Sequence, residues 1–444
     1  MKRGASGRPA ATARTRAVEG LRGVLESGER AAPLAGALAR GLPAPDQDLL
    51  RELLLGVLRW KRALDAEIGD ASRIPLAKLA PNLREILEVG LYQLRHLNRV
   101  PEYAAVSEAV EHARRSGGEG AARLVNGILR QILRRAPPEE PLGNDLAGLA
   151  RHFSHPEFLL RRWTERFGLD AALAVMREDN ASPRLDLLAN PRRVTRDDLR
   201  DRLASEGVAT EPVPGAPLAL SVRSGNPLRS PLHAEGLFAV QDVGSQILPL
   251  LLPPGGLLVD LAAAPGGKSL SALAHARVSR SLAVDRSLPR LRLLAQNARR
   301  LGYPEILPVA GDFGAPPLAL GDVRLDRVLL DAPCSGTGTL RKNPEIRYRV
   351  TADAVERLAG AQEAAVESAL RLLAPGGFLL YSTCSLEEEE NERVIERVRE
   401  RAPGVSSVPI ESPIASVRTR TGGIRILPDE TTDGFTAHLL RRER

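Results

Sequence analysis

The chain has 444 residues, a net charge of +7 and a sequence pI near 9.8. This length exceeds one compact core and predicts two or three domains, and no stretch approaches the ~20 apolar residues of a membrane span. Its two cysteines exclude a disulfide framework and indicate a reducing compartment, so we expect a cytoplasmic protein. The basic charge favours an anionic partner, nucleic acid before acidic lipid, although an arginine bias can also reflect genome base composition.

The N-terminal third divides into a tail and a helical region. Residues 1–17, rich in Arg, Ala, Gly and Ser, are predicted to form a basic flexible tail, with a transit peptide as the alternative. Residues 18–140 are helical by period. One helix face is formed by Leu50, Leu53, Leu54, Val57 and Leu58. Further helices open at Pro81 and Pro101, so the region predicts an all-α bundle, whose arginines either bind RNA or form a solvated face.

Residues 141–240 are predicted to contain a linker and a small α+β segment. The run Ala136-Pro-Pro-Glu-Glu-Pro141 breaks the helical pattern and indicates a linker. Beyond it, helical patterns alternate with short strands. The helices are predicted at His155–Phe167 and Thr195–Glu206, and the strands at Arg184–Leu188, Leu218–Val222 and Gly236–Val240.

Residues 241–444 have the pattern of a doubly wound α/β domain, with a Rossmann-like parallel sheet. Short apolar runs alternate with helical patterns, as expected for strands buried on both faces. These runs are Leu257–Leu261, Ser281–Val284, Ile306–Val309, Arg327–Leu330 and Gly377–Tyr381. Ligands of such a fold bind beyond the carboxyl ends of the strands, so chemically active residues are expected directly after each run.

A stretch of small residues follows the first of these strands, in the sequence Asp260-Leu-Ala-Ala-Ala-Pro-Gly-Gly-Lys-Ser269. Small side chains let the backbone approach a ligand, and the next helix presents free N–H groups. The phosphate-binding loop of a nucleotide hydrolase requires glycine where this chain has Ala262, so that alternative fails at its first glycine. A glycine turn without a ligand is the other alternative.

Single acids follow the next two strands. Asp285 comes after the second strand, where a carboxylate holds the ribose hydroxyls of a nucleoside, and Asp312 follows the third. Each alone also fits a helix cap. Their recurrence at successive strand ends favours a nucleoside pocket.

Both cysteines of the chain follow predicted strands, in Asp331-Ala-Pro-Cys-Ser-Gly-Thr-Gly338 and Ser382-Thr-Cys-Ser385. Zinc is not expected, because no C-x-x-C or histidine cluster completes a four-ligand site. A redox disulfide between Cys334 and Cys384 remains the alternative to catalysis. Ser385-Leu-Glu-Glu388 is predicted to be a capping box that opens a helix over 386–400, which would place Cys384 beside a helix N-terminus and favour its thiolate.

Together these motifs resemble the NOL1/NOP2/Sun family of RNA 5-methylcytosine methyltransferases. The resemblance rests on DLAAAPGGKS, the strand end at Asp285, DAPCSGTGTLRKNPEIR and YSTCSLEEEENE, and covers roughly residues 150–444. The N-terminal bundle, with LLRELLLGVLRW, VPEYAAVSEAV and LVNGILRQILRR, is similar to a NusB-type RNA-binding domain. This pairing is similar to that of bacterial 16S ribosomal RNA cytosine methyltransferases.

The resemblance implies the cofactor S-adenosylmethionine and a role for each matching residue. The loop that would hold the cofactor comprises Ala262, Ala263, Ala264, Pro265, Gly266, Gly267 and Lys268. Asp285 would bind its ribose and Asp312 its adenine side. Asp331 would contact the cofactor and the target cytosine, Cys384 would be the nucleophile, and Cys334 would assist product release.

The hypothesis is therefore methyl transfer to carbon 5 of a cytosine. Cys384 would attack carbon 6, Asp331 would protonate or hydrogen-bond ring nitrogen 3, and Cys334 or a nearby water would remove the carbon 5 proton. The expected partner is RNA, namely 16S rRNA or a small-subunit assembly intermediate, with tRNA or another rRNA position as alternatives. A non-catalytic RNA-binding module of the antitermination type is the alternative from another class. We expect a monomer with no metal and no membrane partner.

Overall fold

The computed structural model describes residues 12–141, 143, 145–312 and 325–443. In these ranges no helix is long and apolar enough to cross a membrane. The chain divides into two compact units. The first comprises Met1–Ala181 with Leu340–Arg349, and the second comprises Ser182–Thr339 with Val350–Arg444.

The first unit is helical. Its helices are α1 (Ala13–Leu25), α2 (Ala31–Leu38), α3 (Ala44–Ala71), α4 (Pro81–His96), α5 (Glu102–Leu133), α6 (Leu146–His152), α7 (Glu157–Phe167) and α8 (Leu169–Asn180). The periodic leucines of α3 are fully buried, which confirms the predicted bundle. Helix α5 is broken at Gly118, whose φ of +73° lies in the left-handed region that glycine adopts readily.

The tail predicted for residues 1–17 is wrong from Ala13 onward. Helix α1 begins at Ala13, Thr12 caps it by accepting a hydrogen bond from the Thr15 amide, and Ala13 and Ala17 are buried. The remaining part of that prediction, residues 1–11, lies outside the described residues.

The first unit also includes a segment that the sequence pattern assigns to the α/β domain of residues 241–444. Leu340–Arg349 follows the Pro-Cys loop and clusters with the helices of the first unit. Arg347, buried to 1% exposure, donates to the Asn180 side chain (2.8 Å) and to the Asp179 carbonyl (2.9 Å). Contiguous sequence boundaries miss such an excursion, because the chain leaves one unit and returns to it.

The second unit begins with a small α+β part. Its strands are β1 (Asp186–Ala189), β2 (Ala209–Pro212), β3 (Ala219–Ser224) and β4 (Phe238–Val240), with helices α9 (Arg196–Ser205), α10 (Pro231–Ala234) and α11 (Val243–Ile247). The strands form an antiparallel sheet in the order β2-β3-β1-β4. Strand β2 was not expected, since Ala209–Pro212 is mostly exposed and contains a proline.

The rest of the second unit is built on one mixed sheet. Its strands are β5 (Leu257–Asp260), β6 (Arg280–Asp285), β7 (Ile306–Ala310), β8 (Leu325–Asp331), β9 (Leu373–Thr383), β10 (Val405–Val408), β11 (Val417–Arg418), β12 (Ile424–Ile426) and β13 (Phe435–Arg442). Its helices are α12 (Gly267–Ala274), α13 (Leu288–Leu301), α14 (Ala352–Leu372) and α15 (Glu392–Arg401). The strand order is β11-β12-β13-β9-β8-β5-β6-β7, with β10 beside β13.

The five predicted strands, β5 to β9, are confirmed and pair in parallel. The fold class is thereby confirmed as a helical bundle, a small α+β part and an α/β sheet. The antiparallel strands β10 to β13 were not expected. Of these, β13 pairs with β9 from Thr436–Thr383 to Arg441–Phe378 and so protects the edge of the parallel sheet.

Candidate active site

The candidate site lies where four neighbouring strands end. Strands β9, β8, β5 and β6 are adjacent and parallel, so their carboxyl ends meet at one edge of the sheet. Asp331 ends β8 and is paired in register with Ser382 of β9. Asp260 ends β5 and Asp285 ends β6. Cys384 follows β9 directly.

The two cysteines lie side by side at this edge. The Sγ atoms of Cys334 and Cys384 are 3.2 Å apart, and both thiols are free and half-buried. The Cys334 loop is joined to the Cys384 loop by the backbone, because the Gly338 amide donates to the Cys384 carbonyl at 2.9 Å. The Leu386 amide donates to the Thr337 hydroxyl, also at 2.9 Å. Two thiols at this distance can exchange a proton directly.

The surroundings of Cys334 favour its protonated form. Its hydrogen bond with Cys384, its burial and the nearby charges of Glu390 and Asp331 hold the pKa of Cys334 well above its usual range. At neutral pH Cys334 is therefore a thiol, which can donate to the sulfur of Cys384.

An ion pair lies beside the cysteines. The ammonium of Lys268, from the first turn of α12, is 2.6 Å from Asp331 Oδ2, and the Ser382 hydroxyl donates to Asp331 Oδ1 at 2.9 Å. Burial alone would lower the pKa of Lys268, but the Asp331 carboxylate more than offsets this and raises it. Lys268 is therefore a fixed positive charge, and Asp331 is held from both oxygens.

The loop that follows β5 is anchored by Asp285. The Ala264 amide donates to Asp285 Oδ2 at 3.2 Å, and the guanidinium of Arg290 donates to the Ala264 carbonyl. Arg290 also lies 3.4 Å from Asp285. Asp285 is 5% exposed, so its carboxylate is buried directly against this loop. Its hydrogen bond with the Ala264 amide helps to fix the conformation of the loop.

Two glycines make this loop a close-fitting cradle. Gly266 has a φ of +101°, and a Cβ there would lie 2.8 Å from the Leu294 side chain. A Cβ at Gly267 would lie 3.3 Å from the Gln241 amide. Both glycines therefore let the loop pack closely against Leu294 and Gln241, and the small side chains of the alanines before them allow a close approach to the loop backbone. The loop of small residues and the buried carboxylate of Asp285 fit a nucleoside-containing cofactor.

Two other acids differ in their surroundings. Asp260 is 1% exposed, accepts from the Ser269 hydroxyl at 2.7 Å, and burial raises its pKa to about 6. It was not among the predicted site residues. Asp312 is exposed and lies just beyond β7, two strands away from β5, so it is at the margin of the site.

The predicted capping box at Ser385–Glu388 is wrong. The Ser385 hydroxyl accepts from the Glu387 amide at 3.0 Å and not from Glu388, and helix α15 begins only at Glu392, after a 3-10 turn over Glu388–Glu390. Cys384 is therefore not beside the N-terminus of an α-helix.

The acidic run after Cys384 contains residues of the site that the sequence did not reveal. The predicted helix over 386–400 includes this run, but Glu390 is fully buried and accepts from the Ser335 amide at 2.8 Å. Gln362 of α14 donates to Glu390 at 3.0 Å. One feature of the sequence points to this contact, because each cysteine is directly followed by a serine. The hydroxyls of these two serines, Ser335 and Ser385, lie 3.1 Å apart.

A separate cavity of about 280 Å³ adjoins the cofactor loop from another side. It is lined by Gly266 and Gly267, by Leu294 of α13 and by His233 and Gln241 of the small α+β part. Neither cysteine and none of Asp285, Asp312 and Asp331 lines it. It therefore adjoins the loop without belonging to the cysteine site.

Three regions of the chain match known protein families. Residues 249–441 match the family of the 16S rRNA methyltransferase RsmB/F, residues 11–134 match the NusB family, and residues 155–229 match the ferredoxin-like domain of RsmF/B-like methyltransferases. The match to NusB supports the helical unit, and the ferredoxin-like match supports the α+β part.

Individual relatives align over most of their length. The probable ribosomal RNA small subunit methyltransferase B of Synechocystis sp. is 35% identical over 89% of this chain and 91% of its own. The ribosomal RNA small subunit methyltransferase B of Cronobacter sakazakii is 32% identical over 95% of this chain and 96% of its own.

Solved structures agree with this. The crystal structure of PH0851 has a TM-score of 0.79 and 25% identity, and covers 98% of this chain and 99% of its own. A methyltransferase homolog from Pyrococcus horikoshii has a TM-score of 0.59 and 27% identity, over 68% of this chain and all of its own. The methyltransferase interpretation is confirmed over that of a binding module or a nucleotide hydrolase. The chain belongs to the RsmB/F family of 16S rRNA methyltransferases and carries the N-terminal NusB domain found with it.

Proposed function

We propose that this methyltransferase acts on carbon 5 of a cytosine in 16S rRNA, through a covalent adduct with Cys384. The observation that carries the proposal is the pair of thiols, with Sγ atoms 3.2 Å apart, beside the Lys268–Asp331 ion pair. Carbon 5 of cytosine is a weak nucleophile until a thiolate adds to carbon 6, and this addition requires a sulfur, a proton donor and a base in one place.

Cys384 is the better nucleophile of the two. Cys334 retains its proton, because its pKa is raised by the hydrogen bond with Cys384, by burial and by nearby carboxylates. A neutral Cys334 thiol donates to Cys384 and stabilises the Cys384 thiolate. Attack by Cys384 on carbon 6 forms the carbon–sulfur bond and leaves negative charge on the ring.

Lys268 is the candidate donor to that charge. Sequence reasoning assigned ring nitrogen 3 to Asp331, by protonation or by hydrogen bonding, whereas both Asp331 oxygens here accept from other side chains, Lys268 and Ser382. In the proposal, Asp331 accepts a hydrogen bond from the exocyclic amino group of cytosine. Lys268, a positive charge held by the same pair, donates to ring nitrogen 3.

The family implies that S-adenosylmethionine is the methyl donor. The residues proposed to hold it are the loop 262–268 and Asp285, with Asp312 at the adenine margin. When bound, it supplies an electrophilic methyl group to carbon 5. Asp285 accepts a hydrogen bond from the Ala264 amide, so binding of the ribose at Asp285 depends on the conformation of the loop.

Release of the product is proposed to depend on Cys334. After methylation, carbon 5 carries both a methyl group and a proton, and that proton must leave before the bond between Cys384 and carbon 6 can break. Once Cys384 is bonded to carbon, Cys334 loses its hydrogen-bond partner, gives its own proton to water and becomes a thiolate. It then accepts the carbon 5 proton, directly or through a water, and Cys384 departs as a thiolate.

The target cytosine has to leave its stack to reach this edge, so a loop or single-stranded segment of 16S rRNA is the proposed substrate. The test is in vitro methylation of 16S rRNA and of small-subunit particles, with bisulfite sequencing of the product. Wild type should protect one cytosine from conversion, and Cys384→Ala should protect none. Protection of a cytosine by Cys384→Ala would overturn the proposal.

A further inference from the structure

One buried carboxylate holds the loop of Cys334. Glu390 Oε1 accepts from the Ser335 amide at 2.8 Å, and Oε2 accepts from the Ser335 hydroxyl. Ser335 directly follows Cys334. Glu390 is fully buried, so water does not compete for these bonds, and a carboxylate acceptor makes them charge-assisted.

A glutamine completes the hold on this loop. The Gln362 side-chain amide donates to Glu390 Oε1 at 3.0 Å and to the Pro333 carbonyl at 2.9 Å. The Tyr381 hydroxyl donates to the Glu390 carbonyl at 2.6 Å and lies 3.2 Å from Gln362 Oε1. The residues before and after Cys334 are thus both fixed by one polar cluster, which we define as Glu390, Gln362 and Tyr381.

This cluster acts on the two cysteines unequally. Its direct bonds reach Pro333 and Ser335, which flank Cys334. In the other loop it reaches the Ser385 side chain, which also hydrogen-bonds to Glu390 and whose hydroxyl lies 3.1 Å from that of Ser335. The charge of Glu390 is also one of the influences that raise the pKa of Cys334, in accord with a role at that thiol.

We propose that Glu390 is a positioning residue for Cys334, and that it serves the release of the RNA adduct and not its formation. The inference rests on the proposed function, since it assumes attack by Cys384 and release through Cys334. Without the carboxylate, Cys334 would still be present but would no longer be held at the distance and orientation needed to accept the carbon 5 proton.

The test separates formation from release. Wild type, Glu390→Gln, Ser335→Ala and the matched control Glu388→Gln are mixed with 16S rRNA and S-adenosylmethionine under single-turnover conditions. Glu388 lies in the same 3-10 turn, but its carboxylate faces Arg420 at 3.0 Å. Denaturing gels follow the shifted enzyme–RNA band as it rises and falls, and thermal unfolding reports whether each variant is folded.

Glu390→Gln keeps the shape of the side chain, removes its charge and replaces one acceptor oxygen by a donor NH2 group. We therefore expect release of the adduct to slow by about tenfold, the scale of one weakened charge-assisted hydrogen bond. Formation should stay within about twofold of wild type, on the same scale of reasoning. Ser335→Ala should slow release in the same direction by less. Glu388→Gln should match wild type in both steps.

Equal slowing of formation and release in folded Glu390→Gln would overturn the inference, as would release at the wild-type rate. If Glu390→Gln fails to fold, Ser335→Ala decides in its place by the same criteria. Failure of the proposed function gives a different pattern, because wild type and Glu388→Gln would then methylate carbon 5 without forming a shifted band.

Discussion

Replacement of Lys268 by methionine tests how the site handles charge on the cytosine ring. The change removes an ammonium 2.6 Å from Asp331 and leaves that carboxylate with the Ser382 hydroxyl. Lys268 is 19% and Asp331 29% exposed, so the lost charged hydrogen bond should lower the free energy of unfolding by about 1–3 kcal/mol. Loss of a proton donor at the reacting base should cost more, about 100-fold in the rate of adduct formation.

The assay is the single-turnover rate of adduct formation at saturating S-adenosylmethionine, with cofactor affinity measured separately by calorimetry. The pKa of Lys268 is raised by Asp331 despite burial, so the ammonium is present throughout the neutral range and the loss should be equal at about pH 6.5 and 8.5. Lys78→Met, which removes an exposed lysine, should behave as wild type. If Lys268→Met forms the adduct at a rate within about threefold of the wild-type rate, the role of Lys268 as proton donor is refuted. A defect that saturating cofactor abolishes would refute it equally.

Three further changes test other contacts of the structure. Arg347→Ala removes a buried guanidinium with several acceptors, so denaturant titration should show a free energy of unfolding lower by about 3 kcal/mol. A decrease below ~1 kcal/mol would contradict the anchoring of the segment Leu340–Arg349. Gly266→Ala forces a Cβ to within 2.8 Å of Leu294 at a φ of +101°, and cofactor affinity should fall about tenfold, whereas unchanged affinity would refute the cradle. The pKa of Asp260 is raised by burial to about 6 from 3.8, so its folded state binds a proton more tightly than its unfolded state, and stability rises as the pH falls through 6. Compared with Asp260→Asn, wild type should gain about 1 kcal/mol between about pH 7 and pH 5, and an equal pH dependence of the two would contradict the shift.

Sequence periodicity predicted the elements of this protein best where burial is regular. The leucines of α3 recur at helical spacing because one face of the helix is in the core. Strands β5, β6, β8 and β9 are largely buried and apolar because both faces of the parallel sheet are covered there, whereas β7, at the end of the sheet, is mostly exposed. The rule that ligands bind beyond the carboxyl ends of such strands then brought Cys334 and Cys384 to the same edge before any distance was known.

The parts that sequence reasoning missed depend on contacts between distant segments. Whether Glu390 begins a helix or turns inward depends on Ser335, 55 residues earlier. The partner of Asp331 is Lys268, 63 residues earlier, which had been considered only for cofactor binding. Strands β10, β11 and β12 have only 4, 2 and 3 residues, and the pairing of β13 with β9 has no local signature. Local pattern carries no information on any of these pairings.

The central claim is that Cys384, and not Cys334, bonds to the target cytosine. The direct measurement uses wild-type enzyme, with both cysteines present, and 16S rRNA that contains 5-fluorocytidine, in which carbon 5 has no proton to release and the adduct persists. After digestion with trypsin and nuclease, mass spectrometry identifies the peptide that carries the methylated nucleotide. The account predicts the peptide with Cys384. A nucleotide on the peptide with Cys334, or methylated RNA in the absence of any adduct, would contradict it.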